Sequence, residues 1–253
     1  MLPSFLKPFE EELKKHQLET VKISASPIKK NETLSLKQSK FLGSPFLPTV
    51  HEYPTSKFGK PLVLFAQINF EEIPPLKDYP RKGIFQIFTS NMFWDLMDDE
   101  YYVFLYHENT DQECHNDFSF LADDLYEGLP INCEHKLTFS KNVEYGGSED
   151  SRFDFSFNGK SVYEFREDLN TDEQKMLDEL FYTAGHKIGG YAYFTQADPR
   201  AYDPEKKNDL LLLQIDSDKE IMFGDAGVSN VFISAENLKN ENFSKAYFNW
   251  DCA

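Results

Sequence analysis

The chain has 253 residues, 40% of them hydrophobic and 15% aromatic, including 24 phenylalanines. A chain of this length and apolarity can bury a core without staples, which excludes a disordered segment. Its 43 acidic residues against 26 basic ones leave a formal net charge of −17, which repels phosphate backbones and excludes non-specific nucleic-acid binding.

No apolar run approaches the roughly 18 residues needed to cross a bilayer, and residues 1–6 lack the basic start and long apolar core of a signal peptide. A cytoplasmic protein with no membrane association is expected. Cys114, Cys133 and Cys252 are odd in number and widely spaced, a poor disulfide framework that suits a reducing compartment. Only Arg81, Arg152, Arg166 and Arg200 are arginines, so planar bidentate donors are scarce and each is a recognition candidate as well as an ion-pair partner.

Taken in order, Ser4 to His16 reads as a helix, with Phe5, Phe9 and Leu13 on one face, acids at its start and lysines at its end. Thr20 to Ser24 alternates as a short strand, and the prolines between Ser44 and Pro61 mark an irregular connection. Leu62–Ile68 and Gly83–Phe88 are apolar runs of strand length. Residues 91–135 are rich in acidic and aromatic groups, with a strand over Tyr101–Tyr106 and an insertion over Asp111–Glu127. Gly146–Asp150 reads as a flexible loop. Phe153–Phe157 alternates strictly into Asn158-Gly159, which predicts a tight hairpin returning along Ser161–Phe165. Thr171-Asp172-Glu173-Gln174 has the form of a capping box for a helix that ends at Gly185. Strands are predicted over Leu210–Ile215, Glu220–Phe223 and Val228–Ile233, then a short helix from about Ala235.

Two stretches match at an offset of 147 residues: Lys40-Phe41-Leu42-Gly43 with Lys187-Ile188-Gly189-Gly190, and Leu64–Asn69 with Leu211–Asp216. After a three-residue slip, Gly83–Ser90 matches Gly227–Ser234. One domain over 1–253 is expected. It would hold repeated half-units at 39–90 and 186–234, with 91–185 as an elaboration, and a cleft at the junction would be the natural ligand site.

Ser39-Lys40-Phe41-x-Gly43, Pro61-Leu62 with Ala66-Gln67-Ile68, Leu76, Gly83, Gly185-His186-Lys187-Ile188-Gly189-Gly190-Tyr191, Gln196-x-Asp198-Pro199-Arg200, Leu213-Gln214-Ile215-Asp216 and Gly224-Asp225-x-Gly227 together resemble the YwqG-like family, a bacterial domain of unknown function. Leu42 departs from it, standing where the family more often has a second glycine. The resemblance implies an α+β architecture and a cytoplasmic bacterial protein, and brings no catalytic residues. With the turns above, the expected fold is mostly antiparallel β-sheet with a few helices, built from two related half-units in a pseudo-twofold arrangement.

His186, just beyond a helix end, reads either as a protonated acid or ligand-binding imidazole, or as a histidine capping the last carbonyls. Gln67 and Gln214 are matched polar residues inside apolar strands; each either ties down neighbouring backbone or joins His186, Gln196, Asp198, Arg200 and Asp225 along a polar cleft. Cys114, His115, Cys133 and His135 have zinc-type donors at a spacing that fits no common site, and Asp216–Glu220 lacks the glycine and distant glutamate of a calcium loop. No metal is therefore expected; with no Gly-rich phosphate loop no nucleotide cofactor is expected either, and with no nucleophile elbow triad catalysis has no sequence support. The chemistry fits a non-enzymatic binding or protein-interaction module with a cationic partner, one version being an immunity-type inhibitor of a basic toxin. The alternative is a hydrolase using His186 with Asp198 or Asp225 and anchoring an anion on Arg200.

Overall fold

The computed structural model describes residues 2–91 and 101–253; of the acidic and aromatic stretch 91–135, residues 92–100 lie outside the described residues. The strands are β1 (Leu18–Pro27), β2 (Lys40–Phe41), β3 (Val63–Asn69), β4 (Ile84–Thr89), β5 (Tyr102–His107), β6 (His135–Glu144), β7 (Lys187–Gly189), β8 (Leu210–Asp216), β9 (Val228–Ile233) and β10 (Tyr247–Asp251). They form a ten-stranded sheet in the order β10-β9-β8-β7-β1-β6-β2-β3-β4-β5, and the paired strands run antiparallel. The long β1–β6 ladder, from Leu18↔Glu144 to Pro27↔His135, lies at its middle.

The sheet curls into a half-barrel, so residues far apart in strand order meet inside it. Phe65 of β3 lies 6.3 Å, centroid to centroid, from Phe248 of β10, and Tyr102 of β5 lies 6.1 Å from the same ring. The largest apolar cluster fills this concave face, with Val21, Phe41, Phe85, Ile188, Leu213 and Phe223 among its buried members. Strands β3, β4 and β9 are buried at every position. The main core covers one face and smaller apolar clusters with buried amides lie under folded-back loops on the other, which is why these strands read as mostly apolar runs instead of alternating ones.

A second cluster joins the N-terminal segment to residues 153–181 on the outside. The opening helix is divided: Ser4–Phe9 is a 3-10 turn containing Pro8, and regular α1 covers only Glu10–Lys15. The missing N–H of proline breaks the α-helical ladder at that point.

The hairpin expected after Phe153–Phe157 does not form. Phe157 and Lys160 make an isolated bridge around Asn158-Gly159, and the return segment is helix α2 (Val162–Glu167). Ser161 accepts from the Glu164 backbone N–H while Glu164 reaches back to Ser161, a reciprocal cap that outweighs the alternation. Replacing Ser161 with alanine is expected to cost about 1 kcal/mol, read as a lower urea midpoint at unchanged slope. Helix α3 (Thr171–Phe181) is capped by Asn170, one residue earlier than the predicted box, and stops at Phe181, short of Gly185. Residues 220–223 make isolated bridges only. Strands β2, β6, β7 and β10 have no counterpart among the strands predicted from sequence; the predicted short helix near the C-terminus is α4 (Ala235–Lys239).

The 146–150 segment is packed. A Cβ on Gly146 would fall 2.3 Å from the Phe153 ring, one on Gly147 would fall 2.6 Å from Tyr191 Cβ, and Asp150 is buried. Leu42 adopts the left-handed backbone at φ 56 while buried at 4% exposure. Core packing of its side chain offsets a conformation that costs roughly 1–2 kcal/mol for an L-residue. Among the described residues no helix is long and apolar enough to cross a membrane.

Candidate functional site

On the convex face, β7 leads into residues 190–200, and this segment carries the densest polar network of the described chain. Asp150 is its centre. Its carboxylate accepts from Arg152 Nη2 at 2.7 Å and from the Ala192 backbone N–H at 2.7 Å, and Arg200 Nη2 lies 2.9 Å away. Burial alone would raise this carboxyl; the charge and hydrogen bonds of Arg152, with the charge of Arg200, override it and hold it down at about 2.

Arg200 has no free face. It donates to both Asp198 oxygens at 2.9 and 2.7 Å and to the Asp209 carbonyl at 2.7 Å, and its guanidinium carbon sits 4.2 Å from the Phe232 ring centroid. Asp198 also accepts from the backbone N–H groups of Ser151 and Arg200, fixing the turn after Pro199. Arg152 donates to the Gly190 carbonyl at 2.6 Å. Next to it Lys187 donates to Glu144 Oε1 at 2.7 Å and to the Tyr191 carbonyl, and Glu144 Oε2 accepts the Tyr191 N–H at 2.7 Å. A Cβ on Gly190 would lie 2.3 Å from that same oxygen, and Gly190 has φ 76. The doubled glycine at 189–190 thus brings the chain against Glu144.

Gln214 and Gln67 sit apart from this network and bind backbone. Gln67 accepts from Phe46 N at 2.9 Å and donates to the carbonyls of Leu36 and Gln38. Gln214 accepts from Tyr193 N at 2.8 Å and donates to the carbonyls of Thr183 and Gly185. Each amide staples a loop over its strand. Gln86 Nε2 donates to the Phe46 carbonyl, and Asn230 Nδ2 donates to that of Tyr193.

His186 does not cap the preceding helix. Helix α3 ends five residues earlier, and Nδ1 accepts from the Asp216 backbone N–H at 2.9 Å while Nε2 faces Asp218 Oδ2 at 3.3 Å. With Nδ1 accepting a backbone N–H, the ring proton belongs on Nε2, and burial lowers the pKa despite Asp218, the opposite direction from the dipole-stabilised cation expected at a helix end. It borders a cleft of about 530 Å³ on the central strands that also exposes Lys22, Ser140 and Glu179. Gln196 lies near the C-terminus, its Nε2 donating to the Cys252 carbonyl at 2.6 Å. Asp225 is on the exposed turn between β8 and β9. Of the residues singled out from sequence, the fold brings Asp198 and Arg200 together; among the described residues no hydrogen bond or ion pair joins His186, Gln196 or Asp225 to them.

Asp150, Glu144 and Lys187 are the functional-looking groups to which sequence reasoning gave no role. The signal available was the rarity of arginine, which marked Arg152 and Arg200 equally. Among the described residues no group of three or more His, Cys, Asp and Glu side chains is placed to hold a metal ion; Cys133 meets His135 through its carbonyl, which faces His135 Nδ1 at 2.7 Å, and Cys114 bonds the Gln112 carbonyl.

The sequence model of a family described as "Domain of unknown function (DUF1963)" matches residues 39–252. That span includes the buried ion network and both Gln67 and Gln214, while Leu36 and Gln38, whose carbonyls Gln67 binds, precede it. No curated protein matches the chain.

Proposed function

Since the chain belongs to the DUF1963 family, a domain of unknown function, we propose from its own charge distribution that it is a non-enzymatic binding module for a cationic protein, working in the cytoplasm. The observation that carries this reading is where the charges lie. Lys187, Arg152 and Arg200 are drawn inward against Glu144, Asp150 and Asp198, so these three cations offset three acids inside the fold and most of the surplus of −17 is carried by the surface. Between Gly83 and His135 there are twelve Asp and Glu and no Lys or Arg. Such a field steers a basic partner and rejects anions. An immunity-type inhibitor of a basic toxin is one form this takes.

The geometry favours this over the hydrolase. Arg200, the intended anion anchor, is 1% exposed and already bonded to two aspartates, so a substrate would have to break a buried ion pair to reach it. We also infer that 39–90 and 186–234 are related half-units packed about a pseudo-twofold axis between β1 and β6. The strand order is palindromic under that axis. The partners of Gln67 (Phe46, Leu36, Gln38) and of Gln214 (Tyr193, Thr183, Gly185) correspond at the same offset of 147, and the ladders of β3–β4 and β8–β9 shift register between Leu64/Ala66 and Leu211/Leu213.

The test is titration of the full chain with polylysine by calorimetry at low and moderate salt. Binding that weakens at least about tenfold between 50 and 200 mM salt is expected for several surface ion contacts. Absence of binding at 50 mM, or binding indifferent to salt, overturns the reading.

A further inference from the structure

We propose that the cleft between α2, α3 and residues 148–149 receives a lysine or arginine side chain of the basic partner; this rests on the reading above and gives it a contact point. The cleft encloses about 330 Å³ and is lined by Tyr163, Tyr182 and Tyr193. Tyr163 is 56% exposed and Tyr182 66%, large values for rings of this size, and Tyr182 stands edge-on to Tyr193 at 5.4 Å. The face of a tyrosine ring attracts a cation, and three rings bordering one opening offer that attraction to a basic side chain that enters it.

The rim sets the same sign. Glu149, Glu167 and Asp178 line the cleft together with one cation, Arg166. Arg166 is already held by Asp178, with Nε to Oδ1 at 2.7 Å and Nη2 to Oδ2 at 2.8 Å, and stands 4.0 Å from Glu167. Its fork is therefore occupied. Glu149 accepts from the Tyr163 hydroxyl at 2.7 Å and from Ser148 Oγ at 3.3 Å, bonds that hold the carboxylate and one ring in place before a ligand arrives. Both helix starts behind the site are fixed by reciprocal caps, at Ser161 and at Asn170, so Tyr163 and Asp178 project from stiff elements. Rigid aromatic contact area at low entropic cost, edged by acids, is what a basic side chain needs for anchoring.

The experiment follows tyrosine ring signals by NMR in the full chain, titrated with a nine-residue oligoarginine peptide and separately with N-acetyl-arginine amide. Binding of the peptide is expected to move the rings of Tyr163, Tyr182 and Tyr193. Tyr182→Ala, at a solvent-facing position that leaves the fold intact, is expected to weaken it about three- to thirty-fold, and Glu149→Gln to weaken it at low salt only. If the peptide binds but neither variant changes its affinity and these rings stay still, the cleft assignment fails while the acidic-surface reading stands. If the peptide does not bind at low salt, both fail. If the amide alone binds as tightly as the peptide, the ligand is a free small cation and the assignment to a protein side chain is overturned.

Discussion

Asp150→Ala is expected to be among the most destabilising single substitutions in the chain, costing about 3–5 kcal/mol, because it leaves two buried guanidinium groups without their shared anion. Arg152 and Arg200 would face each other across a hole that also orphans the Ala192 N–H. For a protein of this size that loss corresponds to a fall in melting temperature of roughly 6–20 °C. Asp154, four residues on and exposed, supplies the comparison: Asp154→Ala should change stability by no more than about 0.5 kcal/mol. Equal losses for the two variants would mean that the network contributes nothing specific.

The same carboxylate makes acid stability predictable in sign. Asp150 is held at about 2 in the folded chain against an ordinary value of 3.8, and a depressed carboxylate stabilises the fold above its unfolded pKa and loses that contribution as pH falls through the folded one. The gap between wild type and Asp150→Ala in urea unfolding should therefore be constant above about pH 5 and shrink between about pH 4 and 2. A gap that widened on acidification would show that the pairing had been misassigned.

How much of this was legible in the sequence depends on how local each cause is. The runs that became β3, β4, β8 and β9 were readable because each is covered on both faces and so is mostly apolar. Strand β6 was passed over although His135, Leu137 and Phe139 alternate, because its lower half, Lys141 and Val143, is exposed and the alternation loses its apolar side. The 153–165 stretch was misread because the period-2 pattern and Asn158-Gly159 are hairpin signals, whereas the capping box of Ser161 and Glu164 is a helix signal. The helix signal prevailed where the ring of Phe165 could stack on Phe157 at 4.2 Å. The ion network was the least legible part. Asp150 meets Ala192 and Arg200 across more than 40 residues of chain, and nothing in Gly146–Asp150 itself distinguishes a packed glycine turn from a loose one. The placement of His186 at a helix end failed for a related reason: its surroundings come from Asp216 and Asp218 and not from the helix before it.

The paired glutamines allow the repeated architecture to be examined by its energetics. Gln67→Ala removes the acceptor of Phe46 N and of Gln86 Nε2 and the donors to Leu36 and Gln38, whereas Gln214→Ala removes the acceptor of Tyr193 N and the donors to Thr183 and Gly185. Each leaves buried backbone groups unpaired, at about 1–3 kcal/mol for the group that suffers most, so both variants should be clearly destabilised and Gln67→Ala, which strands one more side chain, the more so. The local readout is sharper than the global one. In native-state hydrogen exchange the Phe46 amide should lose protection in Gln67→Ala and the Tyr193 amide in Gln214→Ala, each with the other amide unchanged, because each loop hangs on its own strand and opens as a unit below the global unfolding energy. If the two half-units are related, these openings are the same event in two places and should raise exchange by similar factors at the two amides. Loss of protection at both amides from either single variant would instead mean one cooperative loop layer over the whole convex face, and the half-units would have no separate energetic existence.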